Sequence, residues 1–320
     1  MEHRTRLQVD VMQSLLFVIL FFAVPNLQSQ NQTQPSSEGT VAVNGARLYY
    51  EVFGKGEPIV ILHGGAGLDH TYLLPQMLKL ADHYSLIFYD QRGSGRSTGA
   101  VDSVSITVDN FVNDLEQVRK ALHFEQITLL GHSWGGLLAM EYACRFPNRV
   151  RRMILASSVG STSAWEVPFA QNREARRTSL DSAALVNIMA SDGFAKRAPP
   201  VMEEFVRTFF RSYFYNQSLA DSLTLTFSPQ TADNVLPILG LMSKQIASYD
   251  IRKQLATLTC PVLILHGDAD PIPLKYAEET QAVMKNSKLV VLKNSGHFPY
   301  IEVPQEFFSA CEEFLASTQK

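Results

Sequence analysis

From residue 41 onward, short apolar runs alternate with longer amphipathic stretches. Residues 41–43 and 48–53 flank Asn44-Gly45, a pair suited to a tight two-residue turn. The pattern predicts an opening hairpin. Further apolar runs follow at 59–62, 86–89, 127–130, 153–156, 262–265 and 289–292. They are continuous rather than alternating, which predicts strands buried on both faces of a mostly parallel sheet. Between them Val108, Phe111, Val112, Leu115, Val118 and Leu122 keep the three-four spacing of one helix face. Leu137, Met140 and Ala143 form a second such face, and Phe307, Phe308, Cys311 and Phe314 a third. Strand and helix in regular succession predict an α/β fold with a doubly wound sheet.

The alternation breaks over 160–250. That stretch shows helical faces, such as Met202, Phe205, Val206, Phe209, Phe210 and Phe214, and no clear strand. The expected organisation is a core of 40–159 and 251–320 with a helical cap over 160–250. Ahead of the core, Arg4 and Arg6 precede an apolar run at 15–24 that Pro25 closes. A positive start, a short apolar middle and a polar exit predict a secretory signal over 1–29, hence an exported protein. An uncleaved membrane anchor is the alternative reading. The apolar run is short for a stable span. Residues 30–39 read as a flexible leader.

In an open parallel sheet, ligands gather at the carboxyl ends of the strands. The tips carry the chemistry here. The run at 127–130 exits into Gly131-His132-Ser133-Trp134-Gly135, with Gly136 behind. A serine between strand and helix stands clear of the sheet only if the backbone turns sharply, and Gly131 and Gly135 leave room for that turn. The run at 262–265 exits into His266-Gly267-Asp268-Ala269-Asp270-Pro271, and that at 289–292 into a loop bearing Gly296-His297. Ser, Asp and His at successive tips predict Ser133 as nucleophile, His297 as base and Asp270 as the orienting acid. Asp270 is preferred to Asp268 because Pro271 can fix the loop presenting it. Backbone N–H groups of Gly65 and Trp134 are the expected oxyanion donors. His132 should point away from the hydroxyl, His63 should bond within its own loop, and His266 should cap its strand.

The remaining composition narrows the field. A net charge of −3 with no basic run argues against nucleic acid as a partner. The loops Gly64-Gly65-Ala66-Gly67 and Gly93-Ser94-Gly95 match neither phosphate-cradling pattern. No His, Asp or Glu group has metal spacing, so no cofactor or metal is implied. Cys144, Cys260 and Cys311 are far apart and read as small buried hydrophobes.

These motifs resemble the α/β-hydrolase superfamily over about 38–318. "HGGAG", "DQRGSGRST", "DLEQVRKAL" and "GHSWGG" resemble, more narrowly, the proline iminopeptidase group, serine peptidases that remove an N-terminal residue. Ala66 stands where that group usually has proline, and His132 where glycine is common. Both features, and the ending "GHFPYIEVP", also occur in esterase-like members. The resemblance implies Ser133, Asp270 and His297 as the triad, Gly65 and Trp134 as the oxyanion hole, and a small-molecule or short-peptide substrate. An aminopeptidase is the first expectation and a carboxylesterase the second. A binding protein that kept the fold without turnover is a third reading. An aminopeptidase must also offer a carboxylate to a free ammonium group. Glu166, Glu174, Glu203, Glu204, Asp221 and Asp233 of the insertion are the candidates.

Overall fold

The computed structural model describes residues 34–318. The expected signal lies outside the described residues. Among them, eight strands form one sheet in the order β1-β2-β4-β3-β5-β6-β7-β8. The strands are β1 (Ser37–Val43), β2 (Ala46–Phe53), β3 (Glu57–Leu62), β4 (Tyr84–Tyr89), β5 (Ile127–His132), β6 (Val150–Ala156), β7 (Val262–Gly267) and β8 (Ser287–Leu292). The hairpin forms around Asn44-Gly45, and β2 runs antiparallel to β4. From β4 to β8 every pairing is parallel.

Two boundaries differ from expectation. β1 starts at Ser37, inside the stretch read as flexible leader, because Ser37 pairs with Val52 across the hairpin. β8 is an edge strand, and only Leu292 of it is fully buried. Leu289 and Val290 pack against opposite cores yet stay half-buried, because among the described residues no strand lies beyond β8.

The central strands show why their runs are continuous. Val60 and Leu62 of β3 face one core, and Ile59 and Ile61 face the other. Successive side chains point to opposite faces, so both sets need apolar cover. One face is covered by α1 (Val108–Ala121) and α2 (Trp134–Arg145), through Phe111, Leu115, Leu137 and Met140. The other lies under the C-terminal helix (Pro304–Ser317), through Phe307, Cys311 and Leu315. Thr107 caps α1 by accepting from the Asn110 N–H at 3.2 Å.

Between β6 and β7 the chain is helical: α3 (Glu166–Arg176), α4 (Ser179–Met189), α5 (Pro199–Phe210) and α6 (Pro229–Ile246). The contact of Thr162 with Asp250 is the one isolated bridge among the described residues. Helix α6 docks on the loop after β4. Asn234 donates to the Gly93 carbonyl at 2.8 Å, Ser228 to that of Gly95 at 3.3 Å, and Gln230 to that of Ser97. Gly67 lies so close to α6 that a Cβ there would sit 2.8 Å from the Val235 carbonyl. No described helix is long and apolar enough to cross a membrane.

Candidate active site

Ser133 sits between β5 and α2 with φ 56° and ψ −120°. Non-glycine residues rarely hold a positive φ, and doing so stores strain. The turn closes only because its flanks lack side chains. A Cβ on Gly131 would lie 2.3 Å from the Gly135 carbonyl oxygen, and one on Gly135 would lie 2.1 Å from that of Leu62. The strand side is anchored as well, because the Ser133 N–H donates to the Ala156 carbonyl at 3.1 Å.

The His297 loop is equally constrained. A Cβ on Gly296 would meet the Tyr213 carbonyl at 2.2 Å, and one on Gly267 would meet the Gly296 carbonyl at 2.3 Å. The Gly296 N–H donates to Glu302 at 2.6 Å, and the His297 N–H to Tyr213 at 2.8 Å. His297 Nδ1 lies 2.9 and 3.1 Å from the two Asp270 oxygens. A carboxylate only accepts, so Nδ1 donates here, and in the neutral ring Nε2 is the nitrogen with the lone pair. Asp270 also accepts from the Ile272 N–H at 2.8 Å. Burial alone would raise its carboxyl, but attraction to His297 and His266 and these hydrogen bonds win, holding it below the ordinary value. Asp268 faces outward instead, toward Lys293 at 3.5 Å. His266 braces the same loop through the Ile272 carbonyl at 2.9 Å.

A buried polar chain joins three of these strand tips. The Gly64 N–H donates to the Tyr72 hydroxyl at 2.6 Å. That hydroxyl lies 2.8 Å from His132 Nδ1 and donates to it, while His132 Nε2 donates to the His297 carbonyl at 2.8 Å. His132 is therefore neutral. Burial, and next the neighbouring His297, pull its pKa down to about 3. It is thus a strut rather than a base. His63 also bonds locally, to the Gly64 carbonyl and the Gln91 N–H, both at 3.1 Å. Gln91 is bonded on both ends of its amide. It donates to the His63 carbonyl at 2.8 Å and accepts from Trp134 Nε1 at 2.8 Å. Sequence reading missed the roles of Tyr72 and Gln91. Gln91 had a signal, its place at a strand tip, whereas nothing in the sequence around Tyr72 marks its hydroxyl as a bridge.

Ser133, His297, Gly65 and Trp134 all line one cavity of about 380 Å³ beneath the helical layer. No hydrogen bond joins Ser133 to His297 among the described residues. Such bonds are often long until substrate binds. Tyr72 occupies the Gly64 N–H, while Gly65, the next residue of that loop, lines the cavity. The walls are mainly apolar and aromatic, including Phe205, Phe209, Phe210 and Met242. Of the six carboxylates considered, only Glu166 reaches the cavity. Glu174 pairs with Arg177, Glu203 accepts from the Phe227 N–H, and Asp221 pairs with Arg211. Glu204 and Asp233 are exposed. Glu166 Oε1 is buried without a hydrogen-bond partner, and burial raises its pKa. Among the described residues, no group of His, Cys, Asp and Glu is arranged to hold a metal.

The alpha/beta hydrolase fold model matches residues 57–304. The proline iminopeptidase of Heyndrickxia coagulans is 31% identical over 293 residues, covering 88% of this chain and 99% of that protein. The proline iminopeptidase of Saccharolobus solfataricus is 28% identical, covering 87% and 92%. Among solved structures, a proline iminopeptidase-related protein from Thermus thermophilus superposes with a TM-score of 0.66 at 26% identity, covering 88% and 98%. An esterase from Exiguobacterium antarcticum shares the fold, with a TM-score of 0.61 at 21% identity over 89% and 100% of the two chains. The chain belongs to the alpha/beta hydrolase family, is similar within it to proline iminopeptidases, and is a hydrolase.

Proposed function

We propose that the chain is a serine aminopeptidase of the proline iminopeptidase kind, acting on short peptides with a free N-terminus. His297 Nε2 takes the Ser133 proton as Oγ attacks the scissile carbonyl. The Asp270 carboxylate holds the ring and stabilises the imidazolium. N–H groups of Gly65 and Trp134 receive the developing oxyanion. His297 then protonates the departing amine, leaving an acyl-enzyme on Ser133. Water, deprotonated by the same ring, releases the acid.

The observation that carries the peptidase reading is Glu166. Its buried oxygen has no partner, and burial raises the pKa of its carboxyl. A substrate ammonium would supply both the charge and the donors. The similarity to proline iminopeptidases points the same way. The apolar walls favour the second reading, a carboxylesterase, since an acyl chain would fill them without any charge.

The test compares a prolyl arylamide, its N-acetylated form and a short acyl ester, in the wild type and in Glu166→Gln. The expected outcome is a strong wild-type preference for the free amine. Glu166→Gln should reduce kcat/KM for that substrate by about 10- to 100-fold, mainly through KM. Indifference to the amine with fast ester cleavage would replace the peptidase by the esterase.

A further inference from the structure

Helix α3 brings two ionisable side chains to the cavity, Glu166 and Arg173. Glu166, Phe169 and Arg173 are three and four residues apart, so they share one face of the helix. All three line the cavity that holds Ser133 and His297. The other arginines at this end of α3 are occupied. Arg177 pairs with Glu174 at 2.7 Å, and Arg176 donates to the Phe214 carbonyl at 3.1 Å and to that of Ala269.

Among the described residues Arg173 has neither the carboxylate partner that Arg177 has nor the carbonyl partners of Arg176. Its guanidinium lies over the rings of Phe209 at 4.4 Å and Phe169 at 5.9 Å. It lies near the Tyr213 hydroxyl, opposing the rise that burial gives that group, and its Nε is buried with no hydrogen-bond partner. Stacking on aromatic faces uses the flat of the guanidinium and leaves its edge. The edge carries the in-plane N–H fork that matches a carboxylate. A permanent charge between apolar walls is costly without an anion. Tyr213 also places this fork near the site of reaction, because its ring centroid is 5.4 Å from that of His297.

We infer that Arg173 is a specificity-determining residue that binds the C-terminal carboxylate of the substrate. This rests on the aminopeptidase reading and narrows it. With the ammonium at Glu166 and the carboxylate at Arg173, both ends of the substrate are read. Seven residues of helix separate the two positions, about 10 Å along the axis. An extended peptide spans about 3.3–3.6 Å per residue. The matching substrates are unblocked peptides of two or three residues.

The test uses prolylglycine, prolylglycylglycine and the C-terminal amide of each, with the wild type, Arg173→Gln and Arg173→Lys. In the wild type the acids should exceed their amides in kcat/KM by about 10- to 100-fold, mainly through KM. In Arg173→Gln the acid-to-amide ratio should fall to about one. Arg173→Lys should restore part of the preference, which a purely structural role would not predict. A wild-type ratio near one overturns the inference, as does a preference that survives Arg173→Gln. If none of the four peptides is cleaved, the aminopeptidase reading itself fails. The same peptides, as inhibitors of p-nitrophenyl acetate hydrolysis, then judge Arg173 separately. Tighter inhibition by the acids that is lost in Arg173→Gln supports carboxylate binding at this residue. Equal inhibition by acids and amides rejects it.

Discussion

The strand tips and the helical layer above them are held by different forces. At the tips a set of polar side chains is bonded in fixed directions: His132 to Tyr72 and His297, Gln91 to His63 and Trp134, and Asp270 to His297 and Ile272. The helical layer instead meets the cavity through aromatic contacts. Phe209 and Phe210 pack on Tyr213 at 5.9 and 4.9 Å, and Phe210 on Phe298 at 5.5 Å. Such contacts impose little direction. Glu166 and Arg173 are the cavity charges with no counter-ion among the described residues. Fixed bonds suit bond-breaking, which requires reacting atoms within a fraction of an ångström. Loose apolar walls with unspent charges suit selection. One framework could thus serve many substrates by changing the layer above it.

The sharpest way to break this comparison is at the proposed nucleophile. Ser133→Ala should lower kcat by about 10⁴-fold or more and abolish labelling by a fluorophosphonate probe. The melting temperature should change little, because alanine inherits the same positive φ. Cleavage within tenfold of wild type in the purified variant would show that the tip chemistry is misassigned.

This division also decides what could be read from sequence. The elbow was legible because its requirements are local. A sharp turn demands Gly131 and Gly135 within a few residues of Ser133. Asp270 and His297 were legible because strand order places them at neighbouring tips, and Pro271 separated Asp270 from Asp268. Tyr72 could not be found. Its hydroxyl bonds the Gly64 N–H and His132, the latter sixty residues away in the chain, and no sequence pattern marks either bond. Arg173 was hidden for another reason. Arg173, Arg176 and Arg177 look alike in sequence, and only packing shows which one lacks a partner. The edge character of β8 was missed because an apolar run does not reveal whether strands lie on both sides of it.

A second test asks whether the polar lattice stabilises the sheet edge. His70 lies beside β4, with Nδ1 2.7 Å from Asp90 and Nε2 3.5 Å from Glu51. Burial opposes its charge, but the bonds to Asp90 and Glu51 outweigh that and raise its pKa to about 10. Its ordinary value is 6.5. The folded protein therefore holds this proton more tightly than the unfolded chain. The contribution is complete below about pH 6.5 and drains away as pH rises toward about 10. Urea unfolding should show a loss of about 1–3 kcal/mol between pH 7 and pH 10. In His70→Gln that slope should largely vanish. An equally steep slope in the variant would assign the pH dependence elsewhere.

The smallest expected effect sharpens the comparison most. Tyr72→Phe removes a single oxygen and keeps the ring, which packs on Phe298 at 6.5 Å between centroids. The Gly64 N–H and His132 Nδ1 then both lose their partner. Leaving buried groups unsatisfied should cost about 1–3 kcal/mol of stability. Gly64 precedes the N–H proposed to receive the oxyanion, and His132 holds the carbonyl of the residue proposed as base. Both consequences fall on geometry needed only while the carbonyl is attacked. The variant should therefore lose about 3- to 30-fold in kcat with KM nearly unchanged. Arg173→Gln should show the opposite split, with KM raised for acid substrates. If Tyr72→Phe instead lowers only the melting temperature and kcat stays within twofold, the buried chain holds the fold alone. The distinction between a directed lower layer and a selective upper one would then have to rest on Asp270 and His297.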